Sequence, residues 1–244
     1  MTKQIDTIFS KPFYYIGFSV LNENGEECPF QSLFSNEQGS LKYYVEREMQ
    51  GFRYGGWGLP RNVQYIIQLN GIEYKDDTRR VQILENGQII IQVSVSESFF
   101  CWANSSRQST LKGDRTQINT TALVEFTYNC VALLKKALQD CETPKEVICE
   151  FGFVGMDGNY VLGDEKLPDQ SHFAHSWSMN PINTDTETNT KINASDIVDE
   201  DGVAKFVYFI LARVYRMFGF TENVISYVHA DGKKIDIELI KGIK

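Results

Sequence analysis

The stretch TALVEFTYNCVALLKKALQDCETPKEVICEFGFV, residues 121–154, decides how the chain is built. Leu123, Phe126, Val131, Leu134, Ala137 and Leu138 recur at helical spacing, so the pattern predicts a helix over residues 121–140. Asn119, Thr120 and Thr121 offer capping side chains at its start. Glu125 near the start and Lys135 and Lys136 near the end suit the helix dipole. Thr143-Pro144 stops the run, and the apolar residues 146–153 beyond it read as a strand before a turn at Asp157-Gly158. The same order recurs downstream: a helix over residues 202–218 ending at Gly219, a strand over 223–229, and a turn at Asp231-Gly232. The two units align loosely. A duplication and two ordinary α/β elements of similar length both remain open.

The chain before this stretch reads as β. Residues 13–21 are aromatic and β-branched and end at the turn formed by residues 22–25. Residues 63–69 form a strand closed by Asn70-Gly71, and residues 80–84 and 88–95 flank Asn86-Gly87 as the clearest hairpin. The run Ile89-Ile90-Ile91 reads as buried on both faces, and residues 98–102 as an extension of the sheet. The sum is an α+β fold, a mainly antiparallel twisted sheet with two principal core helices. The alternative is two similar α/β lobes. Residues 1–117 are the β-rich part, and residues 118–244 hold the two helix–strand–turn units on the same sheet. Polar residues 103–117 read as a surface loop and internal boundary, residues 171–179 as a further strand, and the acidic stretch 183–202 as a loop.

Composition narrows the function. The chain has 244 residues, 42% hydrophobic, 13% aromatic and 23% charged, which is ordinary globular usage. Its net charge of −8 argues against a protein that coats a phosphate backbone. The start of the chain lacks a basic segment followed by an apolar one, so no secretory signal is read. Residues 203–220 are apolar but interrupted by Lys205, Arg213 and Arg216, which suits a core helix and not a membrane span. A cytoplasmic location is therefore expected. The five cysteines, Cys28, Cys101, Cys130, Cys141 and Cys149, are odd in number and show no CxxC spacing, so buried free thiols are expected.

The most unusual local sequence is residues 51–61. Its glycines permit close backbone approach, while Arg53, Tyr54, Trp57 and Arg61 supply stacking and cationic groups. Residues 105–115 add Arg107 and Arg115 as a small basic loop. These six side chains are the expected binding residues. His172 and His175 have a spacing that would chelate a metal from a helix but point to opposite faces of a strand. His229 reads as a strand-end surface group. No GxGxxG, GxxxxGK, GxSxG or HExxH occurs.

The order of an aromatic opening strand, residues 52–60, the strand–turn–strand of residues 80–91, a long apolar helix and a strand resembles a known arrangement. It is similar, over residues 13–153, to the region that follows the AlbA-type (Schlafen-like) ATP-binding domain of many bacterial proteins. That ATP-binding domain is absent here, so neither nucleotide chemistry nor catalytic residues carry over. The resemblance implies an accessory or sensing module of bacterial type, in a defence or regulatory assembly. The expected function is thus a non-catalytic binding or interaction subunit, without cofactor, whose partner is a protein or a small anionic ligand. A metal-assisted hydrolase using His172 and His175 is the alternative, and a nucleic-acid-binding accessory protein comes third.

Overall fold

The computed structural model describes residues 12–49, 64–76, 78–95, 116–156, 160–162, 186–199 and 201–241. Strand β1 (Phe13–Leu21) is the first described element and is followed by a short helix, α1 (Leu41–Tyr43), that runs into a π-helical turn, Tyr44–Glu48. Strands β2 (Gln64–Gln68), β3 (Gly71–Lys75), β4 (Arg79–Leu84) and β5 (Gln88–Ser94) form consecutive hairpins. Next come β6 (Thr116–Ile118), helix α2 (Thr120–Gln139), β7 (Glu146–Val154), β8 (Tyr160–Leu162) and β9 (Thr186–Asn193). Helices α3 (Ala194–Val198), α4 (Gly202–Met217) and α5 (Ile237–Lys241) complete the chain. The main sheet has seven strands in the order β2-β3-β4-β5-β1-β7-β9, every pair antiparallel, and β6 and β8 form a small parallel pair. The fold is α+β, with one sheet that draws strands from both halves of the chain.

Alternation along β1 sends Tyr14, Ile16, Phe18 and Val20 to one face, where all are buried. Their partners on β7 are Phe153, Phe151, Cys149 and Val147, and on β5 Tyr14, Ile16 and Phe18 meet Val93, Ile91 and Ile89. Both long helices cover this face. The Tyr14 ring packs edge-on to Phe126 of α2 with centroids 6.1 Å apart and lies 4.9 Å from Phe153. Phe153 in turn meets Phe218, at the end of α4, edge-on at 5.4 Å. Asn119 caps α2 by accepting the Ala122 N–H at 3.1 Å. Asp140, at its other end, accepts the Ser32 N–H at 3.0 and 3.2 Å, which fastens the segment after β1 to the helix. Glu125 is not in the first turn of α2 but buried further along it, so its expected service to the dipole does not apply.

The opposite face carries a polar row. In register, Lys75, Arg80, Gln92, Tyr15, Gly152 and Glu187 succeed one another across β3, β4, β5, β1, β7 and β9. Arg80 Nε lies 2.6 Å from Glu73 Oε1, both nearly buried, and Gln68 donates to the same carboxylate at 2.9 Å. Burial first, and the Glu187 and Glu150 carboxylates next, push the ionisation of Tyr15 upward.

The structure departs from the sequence-based expectation at three further places. The acidic stretch 183–202 contains β9 and α3. Thr186, Thr188, Thr190 and Ile192 alternate with Glu187, Asn189, Lys191 and Asn193, a period of two written in β-branched threonines, not in apolar residues. The second unit has no strand after its helix: residues 222–224 form a 3-10 turn, Val228 and Ile235 make one isolated bridge, and residues 237–241 are helical, although the sequence of residues 225–228 and 235–240 reads as a closing hairpin around Asp231-Gly232. Tyr227, with φ 60°, interrupts extended backbone there, so the helix–strand order is not repeated. Cys141, which the sequence reading assigns to the first helical run together with Cys130, lies just beyond α2 and bridges to Phe30. Residues 157–158, 98–102 and 171–179 lie outside the described residues.

At Asn70-Gly71 the two-residue loop is Leu69-Asn70, and Gly71 already pairs with Gln68. Its glycine is required by packing, since a Cβ there would strike the Ile83 carbonyl oxygen.

The same steric test separates two glycines of the central strands. Gly152→Ala drives a Cβ into the Thr186 carbonyl oxygen, whereas the nearest atom to a Cβ on Gly17 is Glu150 O at 3.8 Å. Urea melts are expected to show a loss of about 2–3 kcal/mol for Gly152→Ala and less than about 1 kcal/mol for Gly17→Ala. In the turn between β3 and β4, Asp76 Oδ1 accepts the N–H groups of Thr78 and Arg79, each at 2.7 Å, and the Arg79 guanidinium reaches Oδ2 at 2.9 Å. Burial alone would raise the Asp76 pKa; the Thr78 N–H, the Arg79 charge and the Thr78 hydroxyl outweigh it and hold the carboxyl below its ordinary value. A depressed folded pKa stabilises above the unfolded value of about 3.9 and is lost as pH falls through the folded value. The stability gap between wild type and Asp76→Asn should therefore be present at neutral pH and narrow in acid melts.

Candidate ligand-binding cleft

Most of α2 is buried, so its remaining flank is where its polar chemistry surfaces. Tyr128, Ala132, Lys135, Lys136 and Gln139 recur at spacings of about one turn and form one wall of a cavity of about 690 Å³. Tyr44 and Glu48, from the π-helical turn, add to it. Asp201, Val203 and Ala204 enter from the start of α4, and His229 with residues 234–238 forms the remaining side.

The C-terminal segment is held in place by specific bonds. Lys234 Nζ meets Asp201 Oδ2 at 3.0 Å. The Ile235 N–H donates to the Ala204 carbonyl at 3.1 Å, and the His229 N–H to the Lys234 carbonyl at 2.9 Å. Asp236 Oδ1 accepts the N–H groups of Glu238 and Leu239 at 2.9 and 3.2 Å, starting α5. Gly232, with φ 72°, supplies the left-handed turn that the Asp231-Gly232 pair predicts.

These bonds leave a division of charge. Asp201 is bound to Lys234, whose hydrogen bond is the main cause of its lowered pKa and of the raised pKa of Lys234. Lys135 donates to the Asp199 carbonyl at 3.1 Å. Lys136 has no carboxylate within ion-pair distance among the described residues. Two tyrosines face the space in neutral form. Burial first, then Tyr128 and Glu48, push Tyr44 up to about 12, and burial with the Glu238 charge raises Tyr128.

His229 Nδ1 lies 3.2 Å from both the backbone nitrogen and the Oδ2 of Asp231. The described lining holds no serine, threonine or cysteine. The thiols of Cys130, Cys149 and Cys141 are buried elsewhere and pushed up by that burial, which keeps them protonated and inert. The cleft is therefore suited to holding a polar molecule, with aromatic walls and fixed charges.

The six residues that the sequence singles out, Arg53, Tyr54, Trp57, Arg61, Arg107 and Arg115, lie outside the described residues, as do His172 and His175. Among the described residues, no three His, Cys, Asp or Glu side chains cluster so as to hold a metal ion. His229, read from the sequence as a strand-end surface group, is partly exposed and lines the cleft. Its other members escape sequence reading because they come from four separate parts of the chain. The one available signal is the polar stripe on the flank of an otherwise apolar α2. No described helix is long and apolar enough to cross a membrane. No protein-family model matches the sequence, and no characterised protein resembles it significantly.

The Lys234–Asp201 bond is expected to govern the integrity of the C-terminal wall. Lys234→Met and Asp201→Asn should each increase amide exchange across residues 228–238 while leaving β1 and β7 protected. The sign with pH comes from the two shifts. A lowered Asp201 stabilises above about 3.9 and a raised Lys234 below about 10.4, the unfolded values. Exchange in this segment should be slowest between those limits, relative to the intrinsic rate, and the dependence should vanish in the variants.

Proposed function

We propose that the protein is a non-catalytic binding subunit that takes up a small polar ligand in the cleft between α2 and the C-terminal segment. The observation that carries this reading is the Lys136 ammonium, without a carboxylate partner among the described residues, at an open cleft lined by Tyr44 and Tyr128. The lining is not suited to a purely anionic ligand: Lys135, Lys136 and Lys234 stand against Glu48, Asp201, Asp236 and Glu238. A ligand with separated charges satisfies both signs, its carboxylate against Lys136 and its ammonium toward Glu48. Free amino acids and short peptides have that chemistry. A ligand of this kind buries little apolar area, so affinity in the micromolar to millimolar range is expected.

A binding role agrees with the lack of a hydroxyl or thiol from serine, threonine or cysteine in the described lining and with the resemblance to bacterial accessory modules. Operation within a bacterial cytosolic assembly belongs to the same reading. Its ligand-loaded state would then be read by a partner protein.

The test uses the full chain, isotope-labelled, titrated with a mixture of the twenty amino acids, with trialanine, and with inorganic phosphate. The expected result is saturable amide shifts at Ala132, Lys136, His229 and Ile235 with one of the first two. Lys136→Glu should weaken binding at least tenfold, with an unchanged melting temperature. Absence of saturable shifts at 10 mM probe, or equal binding by Lys136→Glu, overturns the proposal. Shifts with phosphate alone would replace the zwitterion by a simple anion.

A further inference from the structure

The two edges of the seven-stranded sheet differ in a way the cleft does not explain. At one edge, β9 exposes Glu187, Asn189, Lys191 and Asn193. Charged and amide side chains of this kind discourage pairing with another strand. At the other edge, β2 reads Gln-Tyr-Ile-Ile-Gln, and residues 64–72 contain no charged residue in a chain of net charge −8. Tyr65 is 45% exposed, Ile66 45%, Ile67 61%, and Leu69 at the tip of the hairpin fully so. The outer side of β2 pairs with no strand among the described residues. Open backbone groups beside exposed apolar side chains form a template for a further strand.

We infer that β2 pairs with β2 of a second copy of this chain, antiparallel about a two-fold axis at Ile66. The register is dictated by the side chains. With Ile66 opposite itself, Tyr65 faces Ile67, while the Gln68 amide is already bonded within the chain to Glu73 and Gln82 and needs no partner across the dyad. Tyr65 and Ile67 belong to the helix-covered face, being paired within the chain with Tyr74 and Ile72, so the apolar layer continues across the dyad. Aromatic and β-branched side chains directly opposite are favourable cross-strand partners. Pairing β2 to β9 of another copy would instead set isoleucines against glutamate and lysine and would propagate without closing. Two molecules of the same net charge repel, and β2 itself carries no charged side chain, the Lys42 ammonium 4.7 Å over the Tyr65 ring being the charge beside it.

A single strand pair lies below the area of about 1,000 Å² that marks a stable interface. The dimer is therefore reversible, and it forms as concentration rises through the micromolar range. This pairing is independent of the cleft and stands or falls without it.

The experiment is sedimentation equilibrium of the full chain between about 1 and 500 µM, a span chosen for reversible association. The expected mass rises from 27.9 kDa toward twice that value. Ile66→Lys and Ile66→Glu each place like charges face to face at the dyad and should keep the chain monomeric. An equimolar mixture of the two should restore the dimer, because residue 66 meets only residue 66. Circular dichroism melts establish that both variants fold. Amide exchange of the wild type gives a reading that needs no variant: protection at residues 65–68 should rise with concentration. A monomer throughout the range, a dimer indifferent to both substitutions, or exchange at residues 65–68 independent of concentration overturns the inference.

Discussion

Everything else in the structure depends on where β1 is seated. The first described strand lies between β5 and β7, and all nine of its residues pair with β7. It joins the hairpin ribbon β2–β5 to the later strands β7 and β9. Tyr14 fixes this seat from above, its hydroxyl 3.4 Å from Thr127 of α2 and its ring against Phe126 and Phe153. The ribbon can form by local pairing, but the β1–β7 ladder closes over more than a hundred residues. Loop closure costs little more for a long loop than for a medium one, yet it must precede the contacts that offset it. The aromatic layer under α2 supplies that offset, since each ring removes about 150–250 Å² from water.

Seating α2 on β1 also creates the cleft. With the sheet beneath it, α4 along one side and the segment after β1 at its end, the helix retains one polar flank. The negative end of the helix dipole favours lysines there. Lys135 and Lys136 are adjacent and diverge around the helix by about 100°. Lys135 is drawn to the Asp199 carbonyl, which leaves Lys136 facing the cavity. The wall opposite is built without a strand. After Gly219, with φ 79°, the chain turns back and is fastened to the start of α4 by Lys234 and Ile235.

How much could be read from the sequence depends on which forces are local. The bounds of β1, the Asn86-Gly87 hairpin and the Asn119 cap come from alternation, turn chemistry and side-chain capping, all written within a few residues. The strand β9 was hidden because its inward residues are mainly threonines, whose burial depends on β7 lying alongside. The missing second strand was equally illegible: residues 224–228 carry valine, isoleucine and tyrosine, but no open sheet edge receives them. For the site, composition and unusual local sequence point to loops at residues 51–61 and 105–115. The cleft draws on separated segments, and only tertiary packing brings Tyr44, Lys136, Asp201 and His229 around one space.

The polar row on the opposite face carries an energetic cost. Arg80 with Glu73 is a nearly buried ion pair, and Gln92 is fully buried with no hydrogen-bond partner for its side-chain amide among the described residues. A buried pair of this kind contributes little net stability, and an unpaired amide opposes it. Register offers a reason for keeping them. The run Ile89-Ile90-Ile91 in β5 would present isoleucine to the helices in either of two alignments. A slip of one residue exchanges the faces of a strand completely. Gln88 and Gln92 bracket the run, and in the slipped alignment both would enter the apolar layer beneath α2. The slip would withdraw Ile89, Ile91 and Val93 from that layer in exchange for Ile90 alone, and would part Gln88 from the Glu27 carboxylate. The polar residues thus trade a little stability for one alignment of β5 against β1, and with it the seat of Tyr14.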